Sequence, residues 1–166
     1  MQACRLTRAI VVTLTPFAVG ALAQAQTILE EVVVSAQKRE QNIQDVGISI
    51  AAFTGDQLKA MGIESSYDIA TFTPGVHSSG AMAGQNSQFT IRGVTQSDFN
   101  DIVEAPNAVY LDEGYIPIAN AQTFGLFDIE RVEVLKGPQG TLFGRNATGG
   151  LVHYNLAQAD FRGGRR

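Results

Sequence analysis

The chain is poor in the residue types that build disulfides, metal sites and catalytic sites. It contains no tryptophan, one cysteine and two histidines. No Ser/His/Asp or Cys/His set stands out, and His77 has no second histidine or acidic cluster within metal-ligand spacing. We therefore expect no enzyme activity, no bound metal and no cofactor.

Charge and long hydrophobic runs are also scarce. The formal net charge is −4, so nothing in the charge balance favours nucleic acid or an anionic lipid surface as a partner. The mean hydropathy of +0.03 excludes a polytopic helical membrane protein. With 166 residues, 45% of them hydrophobic, and with 17 glycines, the chain fits one domain with a modest core and many turns.

The first 25 residues have the pattern of a secretory signal peptide. Two arginines precede an apolar run over residues 9–22, and small residues allow cleavage after Ala23 or Ala25. The run is shorter than the ~20 residues that a membrane-spanning helix needs. Cleavage would remove Cys4, the only thiol. It would also remove two of the twelve basic residues, leaving ten against sixteen acidic ones and a net charge of −6.

The next segment, residues 26–44, begins as a strand and continues as a polar linker. Three consecutive valines within Ile28–Ala36 give it high β propensity, and no hairpin partner is predicted nearby. Two interpretations stay open on these residues alone. The strand is either an internal edge strand of the domain or a presented peptide that another protein captures by β-augmentation.

Residues 46–74 read as a compact α/β unit. A short apolar strand over Ile48–Phe53 is followed by a capping box, in which Thr54 and Gln57 serve the free amides of a helix that ends near Met61. A second helix is predicted from Ser65 or Ser66. It buries Ile69 and Phe72 and ends at Thr73, before a proline.

Loops and short strands alternate in the middle of the chain. The pattern predicts a loop over Val76–Asn86, a strand over Gln88–Gly93, a polar loop over Thr95–Pro106, a strand over Ala108–Leu111 and a turn over Asp112–Gly114.

The stretch from Asp128 to Gly150 is a charged amphipathic strand followed by a glycine-rich loop. Val132 and Val134 share one side of the strand, and the adjacent opposite charges Arg131 and Glu133 share the other. The strand ends at a Gly-Pro pair, and four later glycines let the backbone pack closely against a neighbour. The glycine spacing does not match a phosphate-binding loop, and no helix pattern follows. The glycines are Gly140, Gly144, Gly149 and Gly150.

Six motifs in order carry a resemblance to a known family. They read L-E-E-V-V-V-S-A, D-V-G-I-S-I, T-P-G-V, F-T-I-R-G-V, V-Y-L-D-E-G-Y and D-I-E-R-V-E-V-L-K-G-P-Q-G-T-L-F-G-R-N-A-T-G-G, and cover nearly all of residues 29–150. This succession after a signal peptide resembles the N-terminal plug domain of TonB-dependent outer-membrane receptors. The resemblance implies an α+β fold, a small mixed β-sheet with short helices. In the family this plug closes the lumen of a β-barrel of roughly 22 strands.

The resemblance also implies a domain organisation. It gives a signal peptide over residues 1–25, a TonB-box segment and linker over 26–44, a plug domain over 45–155 and the start of the barrel region over 156–166. A barrel of roughly 22 strands needs on the order of 200 residues, so we expect this chain to be a fragment unable to transport alone.

The function implied is that of a gate and TonB-coupling element in active transport of siderophores, vitamins or other nutrients across the outer membrane. The implied partners are the C-terminal domain of TonB, a β-barrel and a small nutrient or metal-chelate ligand. The alternative is a free periplasmic module that binds TonB or a ligand without a channel. A fragment without its barrel would be periplasmic.

Three groups of site residues follow from the resemblance. Arg92 matches the arginine of an Ile-Arg-Gly motif that pairs with barrel carboxylates. Lys136 stands where the family has a second arginine, so it keeps the charge and loses the bidentate fork. The TonB-binding segment consists of Leu29, Glu30, Glu31, Val32, Val33, Val34, Ser35 and Ala36. The ligand-facing residues of the loops are His77, Ser78, Gln85, Asn86, Gln96 and Asn100.

Overall fold

A five-stranded mixed sheet organises the part of the chain that the computed structural model describes, which is residues 32–35, 38–39, 41–81, 86–98, 100 and 102–158. The strand order is β3-β8-β9-β6-β7, with β6 parallel to β9 and the other neighbours antiparallel. The predicted α+β fold is confirmed. The strands are β1 (Val33–Val34), β2 (Gln41–Asn42), β3 (Ser49–Thr54), β4 (Val76–Ala81), β5 (Asn86–Ile91), β6 (Asn107–Leu111), β7 (Gly114–Tyr115), β8 (Ile129–Lys136) and β9 (Gly150–Leu156). The α-helices are α1 (Gly55–Ala60), α2 (Ile69–Phe72) and α3 (Gly140–Phe143), and short 3-10 helices cover Ile43–Asp45, Ser66–Asp68 and Ala119–Gln122.

Strand β8 carries apolar packing on both of its faces. Val132 and Val134 are buried on one face, in a cluster that includes residues of α1, α2 and the β4–β5 hairpin. Leu135 is buried on the opposite face, in a second cluster with residues of β1, β6, α3 and β9. A charged strand predicted to have one polar face is therefore covered on both sides, because short segments outside the sheet pack over its second face.

The local signals around α1 form as predicted. Thr54 Oγ1 accepts from the Gln57 amide at 3.3 Å, and Gln57 Oε1 accepts from the Thr54 amide at 3.1 Å. Gly62, with φ of +68°, follows the end of the helix in a conformation that favours glycine. In the second helix, α2, the prediction that Phe72 is buried is wrong. Phe72 is 44% exposed at the end of this single-turn helix, whereas Ile69 is fully buried as predicted.

The loop predicted over Val76–Asn86 is wrong over Val76–Ala81, which form strand β4, and at Asn86, where β5 begins. Strand β4 pairs antiparallel with β5, and the register places His77 opposite Thr90. The small and polar residues of this stretch have weak β propensity, so the sequence did not predict a strand here. The strand forms because it pairs with the more apolar β5.

The backbone after β8 differs from the prediction at two of its four glycines. A Cβ added at Gly149 or Gly150 would collide with neighbouring atoms, and the backbone oxygen of Leu135 blocks it at Gly150. Nothing lies within 4 Å of the corresponding point at Gly140 or Gly144. Of the four glycines, the predicted close approach therefore applies only to Gly149 and Gly150, at the start of β9.

A single-turn helix, α3, occupies the loop in which no helix was predicted. It buries Phe143, and the Tyr110 hydroxyl donates to the Phe143 carbonyl at 2.7 Å. Its four residues are too few for a periodic pattern, and tertiary packing on Phe143 defines it instead.

Among the described residues no helix has the length and apolar character required to cross a membrane. In the same ranges no group of three or more His, Cys, Asp or Glu side chains could hold a metal ion.

Candidate functional site

The predicted TonB-binding segment is described from Val32 to Ser35, and it is held against the domain. Val33 and Val34 pair antiparallel with Asn42 and Gln41, so the polar linker supplies a hairpin partner where none was predicted. The Val34 side chain is fully buried in the second apolar cluster, whereas Val33 is 41% exposed. The remaining members of the segment, Leu29, Glu30, Glu31 and Ala36, lie outside the described residues.

A buried carboxylate on β8 receives the end of this segment. Glu133 is fully buried, and its Oε1 accepts from the Ser35 amide at 2.8 Å and from the Ser35 hydroxyl at 3.2 Å. The same oxygen accepts from Arg131 Nε at 2.7 Å and from Asn155 Nδ2 at 3.4 Å. The Arg131 guanidinium compensates the charge that burial would otherwise destabilise.

The second oxygen of this carboxylate has a different environment. Glu133 Oε2 is buried without a hydrogen-bond partner among the described residues, as is Nδ1 of His153. These two side chains belong to residues directly opposite each other on β8 and β9. His153 Nε2 lies 2.6 Å from the Asp112 carbonyl, so that nitrogen carries the proton it donates.

The sequence indicated the Arg131–Glu133 charge pair but not its role at the N-terminal segment. Residues i and i+2 of a strand share a face, which was the available signal. What the sequence does not contain is a cue that a segment almost a hundred positions earlier covers that face. Lys38 was missed for the same reason: its Nζ lies 3.4 Å from Glu113 and 5.8 Å from the centre of the Phe143 ring.

The two predicted anchoring cations lie near one turn. The Arg92 amide donates to the Gly75 carbonyl at 2.8 Å, and Lys136 Nζ donates to the Pro74 carbonyl at 3.4 Å. The Arg92 guanidinium approaches Gly137, the neighbour of Lys136. Neither cation has a salt bridge to a carboxylate within the described ranges. Arg92 has φ of +52°, a left-handed backbone conformation, and it lies in the turn that follows the end of β5.

The structure places the predicted ligand-facing residues on different elements. His77 and Ser78 lie on β4 rather than in a loop. Gln96 accepts from the Ser97 amide at 3.0 Å, and Asn100 accepts from the Ile102 amide at 3.3 Å, so both side chains cap local turns. Gln85 lies outside the described residues, as does the side chain of Asn86, whose backbone begins β5.

One surface ion pair joins the polar segment before β6 to the loop before β9. Arg145 Nη2 lies 2.8 Å from the Glu104 carboxylate, and this hydrogen bond lowers the pKa of Glu104 below its usual value. Both side chains are exposed, so water screens the pair strongly and it orients the two loops more than it stabilises them.

Comparison with known proteins gives a consistent family. A model of the TonB-dependent receptor plug domain matches residues 42–151, well over half of the chain. The pesticin receptor of Yersinia pestis is 27% identical over 157 residues, covering 89% of this chain and 23% of the relative. The vitamin B12 transporter BtuB of Vibrio vulnificus (strain YJ016) is 29% identical over 161 residues, covering 96% of this chain and 26% of the relative. The chain spans about a quarter of the length of these relatives, which are named as a receptor and a transporter and not as enzymes.

Solved structures show the same fold. The ferric yersiniabactin uptake receptor FyuA of Yersinia pestis superposes with a TM-score of 0.60 at 27% identity, over 68% of this chain and 17% of that one. The outer-membrane ferripyoverdine receptor of Pseudomonas aeruginosa gives a TM-score of 0.61 over 78% of this chain and 17% of its own, and at 19% identity it supports the fold alone. The chain therefore belongs to the TonB-dependent receptor plug domain family.

Proposed function

We propose that this chain is the gate and TonB-coupling domain of an outer-membrane receptor for active uptake of siderophores, vitamins or other nutrients. The observation that carries the proposal is the plug-domain match over residues 42–151, together with the strand Val33–Val34 that lies before it. The relatives named above include a vitamin B12 transporter and a ferric yersiniabactin uptake receptor, which supports a small vitamin or metal chelate as the ligand class. The proposed location is the outer membrane, reached through the periplasm.

The coupling role belongs to residues 29–36. Within the described part, Val33–Val34 already form a strand, as β-augmentation requires. The main-chain groups of Val33 would form a hydrogen-bonded ladder with the C-terminal domain of TonB, and its exposed side chain would lie at the same contact. Main-chain hydrogen bonds would supply the affinity, so a change at the backbone tests this role better than a change of side chain.

We expect Val33→Pro to abolish binding to the TonB C-terminal domain. Proline removes the amide donor and fixes φ near −65°, so the ladder loses a hydrogen bond and its extended geometry. The measurement is a calorimetric titration of the purified domain into the full chain.

Val33→Thr is the matched control for this variant. It keeps the amide and the β-branched shape, so its affinity should remain within about threefold of that of the parent. Equal affinities of the parent and Val33→Pro would refute a coupling role for the segment.

The anchoring role belongs to Arg92 and Lys136. Both cations lie near the Pro74–Gly75 turn and lack carboxylate partners in the described part of the chain, which supports carboxylates of a surrounding barrel as their partners. Lys136 donates instead to a backbone carbonyl at 3.4 Å, a long and exposed hydrogen bond that a barrel carboxylate would readily replace. The ligand-facing role of His77, Ser78, Gln96 and Asn100 stays a prediction.

A further inference from the structure

One edge of the five-stranded sheet is long and open. β3 is the terminal strand, and β8 pairs with all six of its residues from one side. On the other side, no main-chain group of residues 49–53 forms a hydrogen bond with any residue that the structure describes. An open edge of this length can template the pairing of a further strand.

Two contacts show which main-chain groups of β3 face outward. The Thr54 amide donates to a side chain of α1 at 3.1 Å instead of pairing with β8. Leu135, which lies opposite Ile50, directs its carbonyl oxygen toward the first residue of β9 and therefore away from β3. Because alternate residues of a paired strand direct their main-chain groups to the same side, the amides and carbonyls of Ile50 and Ala52 face outward.

The residues of β3 do not block such pairing. Edge strands are commonly protected by charged side chains, by proline or by irregular geometry, and Ser49–Thr54 contains no charge, no proline and no glycine. The opposite edge of the sheet is protected, because β7 has two residues and Pro117 follows it closely. β3 is therefore the edge on which a second strand can lie.

Both faces of β3 are already packed, so its edge is the free direction. Ile50 and Ala52 pack against one apolar cluster, and Ala51 and Phe53 pack against the other. These contacts hold the strand extended in the sheet before any partner arrives. Pairing with another strand therefore requires little further ordering of this one.

A second copy of the same strand is complementary to this edge. In an antiparallel arrangement centred on Ala51, Ile50 of each copy lies opposite Ala52 of the other, and each of these pairs exchanges both of its N–H···O hydrogen bonds. The small Ala51 side chains meet at the axis, where bulky groups would collide. Residues 49–53 carry no charge, so no like charges oppose each other across the contact. Such a contact is symmetric and closes as a dimer.

We propose that two copies of this chain pair antiparallel through β3, with Ala51 at the two-fold axis, and so join their sheets into one continuous sheet. The inference goes beyond the proposed function and does not rest on it, because neither residues 29–36 nor the cations Arg92 and Lys136 take part. A barrel that encloses one copy excludes the second, so the dimer belongs to the chain outside such an assembly.

Sedimentation velocity of the full chain, from roughly 10 µM to 1 mM, should show a monomer–dimer equilibrium. Ala52→Pro removes the outward amide from both copies and should raise the dissociation constant of the dimer at least about tenfold. Proline is tolerated in an edge strand where its missing amide faces solvent, so the sheet of the monomer stays intact. Ala52→Ser is the matched control. It keeps the amide and a small side chain, so its dissociation constant should stay within about threefold of that of the parent.

Cysteine cross-linking tests the register of the pairing. Ala51→Cys in a Cys4→Ser background should form a disulfide-linked dimer under oxidising conditions, because directly opposite Cβ atoms lie about 4.5–5.5 Å apart. Ser49→Cys in the same background is the control, since Ser49 is more exposed than Ala51. In this register Ser49 lies opposite Phe53, roughly 13 Å from its counterpart at about 3.3 Å per residue, so it should form little cross-linked dimer.

A chain that stays monomeric over the whole concentration range would overturn the proposal. A dimer whose dissociation constant Ala52→Pro leaves unchanged would place the contact elsewhere on the molecule and overturn it as well. Far-UV circular dichroism checks that each variant keeps its sheet. If Ala52→Pro unfolds, the cross-linking decides, and a Ser49→Cys dimer without an Ala51→Cys dimer refutes the pairing.

Discussion

Where β8 meets β9, the distance between the two strands depends on the absence of a Cβ atom at Gly150. At Gly150, φ is +153° and the backbone oxygen of Leu135 occupies the place of a Cβ. A backbone atom in a paired strand cannot move aside as the end of a flexible side chain can. Glycine at this position is therefore a requirement of the sheet and not only a flexible connection.

Gly150→Ala should lower the free energy of unfolding by roughly 3 kcal/mol, because it combines a strained φ with overpacking against the backbone. Urea denaturation followed by circular dichroism gives the value. Gly140→Ala is the control, since a Cβ there meets nothing within 4 Å, and its effect should stay within about 1 kcal/mol. Similar losses for both variants would contradict this account.

Helix α1 shows how a short element is specified by its ends. Six residues are too few for a stable isolated helix, so α1 is stabilised by its capping box and by the packing of Leu58. The cap also fixes the point at which β3 becomes a helix, since Thr54 is both the last strand residue and the N-cap. This junction positions the edge strand against β8.

Thr54→Ala should lower the free energy of unfolding by about 1 kcal/mol through loss of the N-cap hydrogen bond. Thr54→Ser keeps the hydroxyl and should recover most of that loss. Both values come from urea titrations of the full chain. A cost for Thr54→Ser as large as that for Thr54→Ala would show that the methyl group matters and the cap does not.

At the scale of the whole molecule, the proposed anchoring concerns Arg92 and Lys136, which have no carboxylate partner within the described residues. The family match makes a surrounding barrel the expected environment of Arg92 and Lys136. Lysine offers a point charge where arginine would offer a planar fork, so the contact at Lys136 should be the looser of the two.

A chimaera tests this anchoring, with residues 26–155 in place of the segment of the Yersinia pestis pesticin receptor to which this chain aligns. We expect Arg92→Ala to lower the urea concentration at which the plug becomes sensitive to protease. Lys136→Arg should raise that concentration by an amount that corresponds to roughly 1 kcal/mol of unfolding free energy, because the bidentate fork is restored. Lys59→Ala is the control, since Lys59 is exposed and pairs within α1 with Asp56. An Arg92→Ala chimaera that matches this control would refute the anchoring role.

Local chemistry was readable in advance wherever neighbouring residues suffice. The Thr54–Gln57 cap, the end of α1 at Gly62 and the buried valines of β8 each depend on residues a few positions apart, and each forms as predicted. The order of motifs likewise indicated the family that the comparisons then showed. Strand β4 was missed because its residues have weak β propensity and gain strand structure only from pairing with β5.

The sequence alone determined the capped helix α1, the valine-bearing strand β8, the family and the presence of a valine strand followed by a polar linker. It left open whether that strand is an internal edge or a presented peptide. In the tertiary structure it pairs with Gln41–Asn42 and rests on Glu133, ninety-eight positions from Ser35. Such a contact has no local signal, because a buried carboxylate is recognised only when the segment that covers it and the arginine that compensates it are both in place.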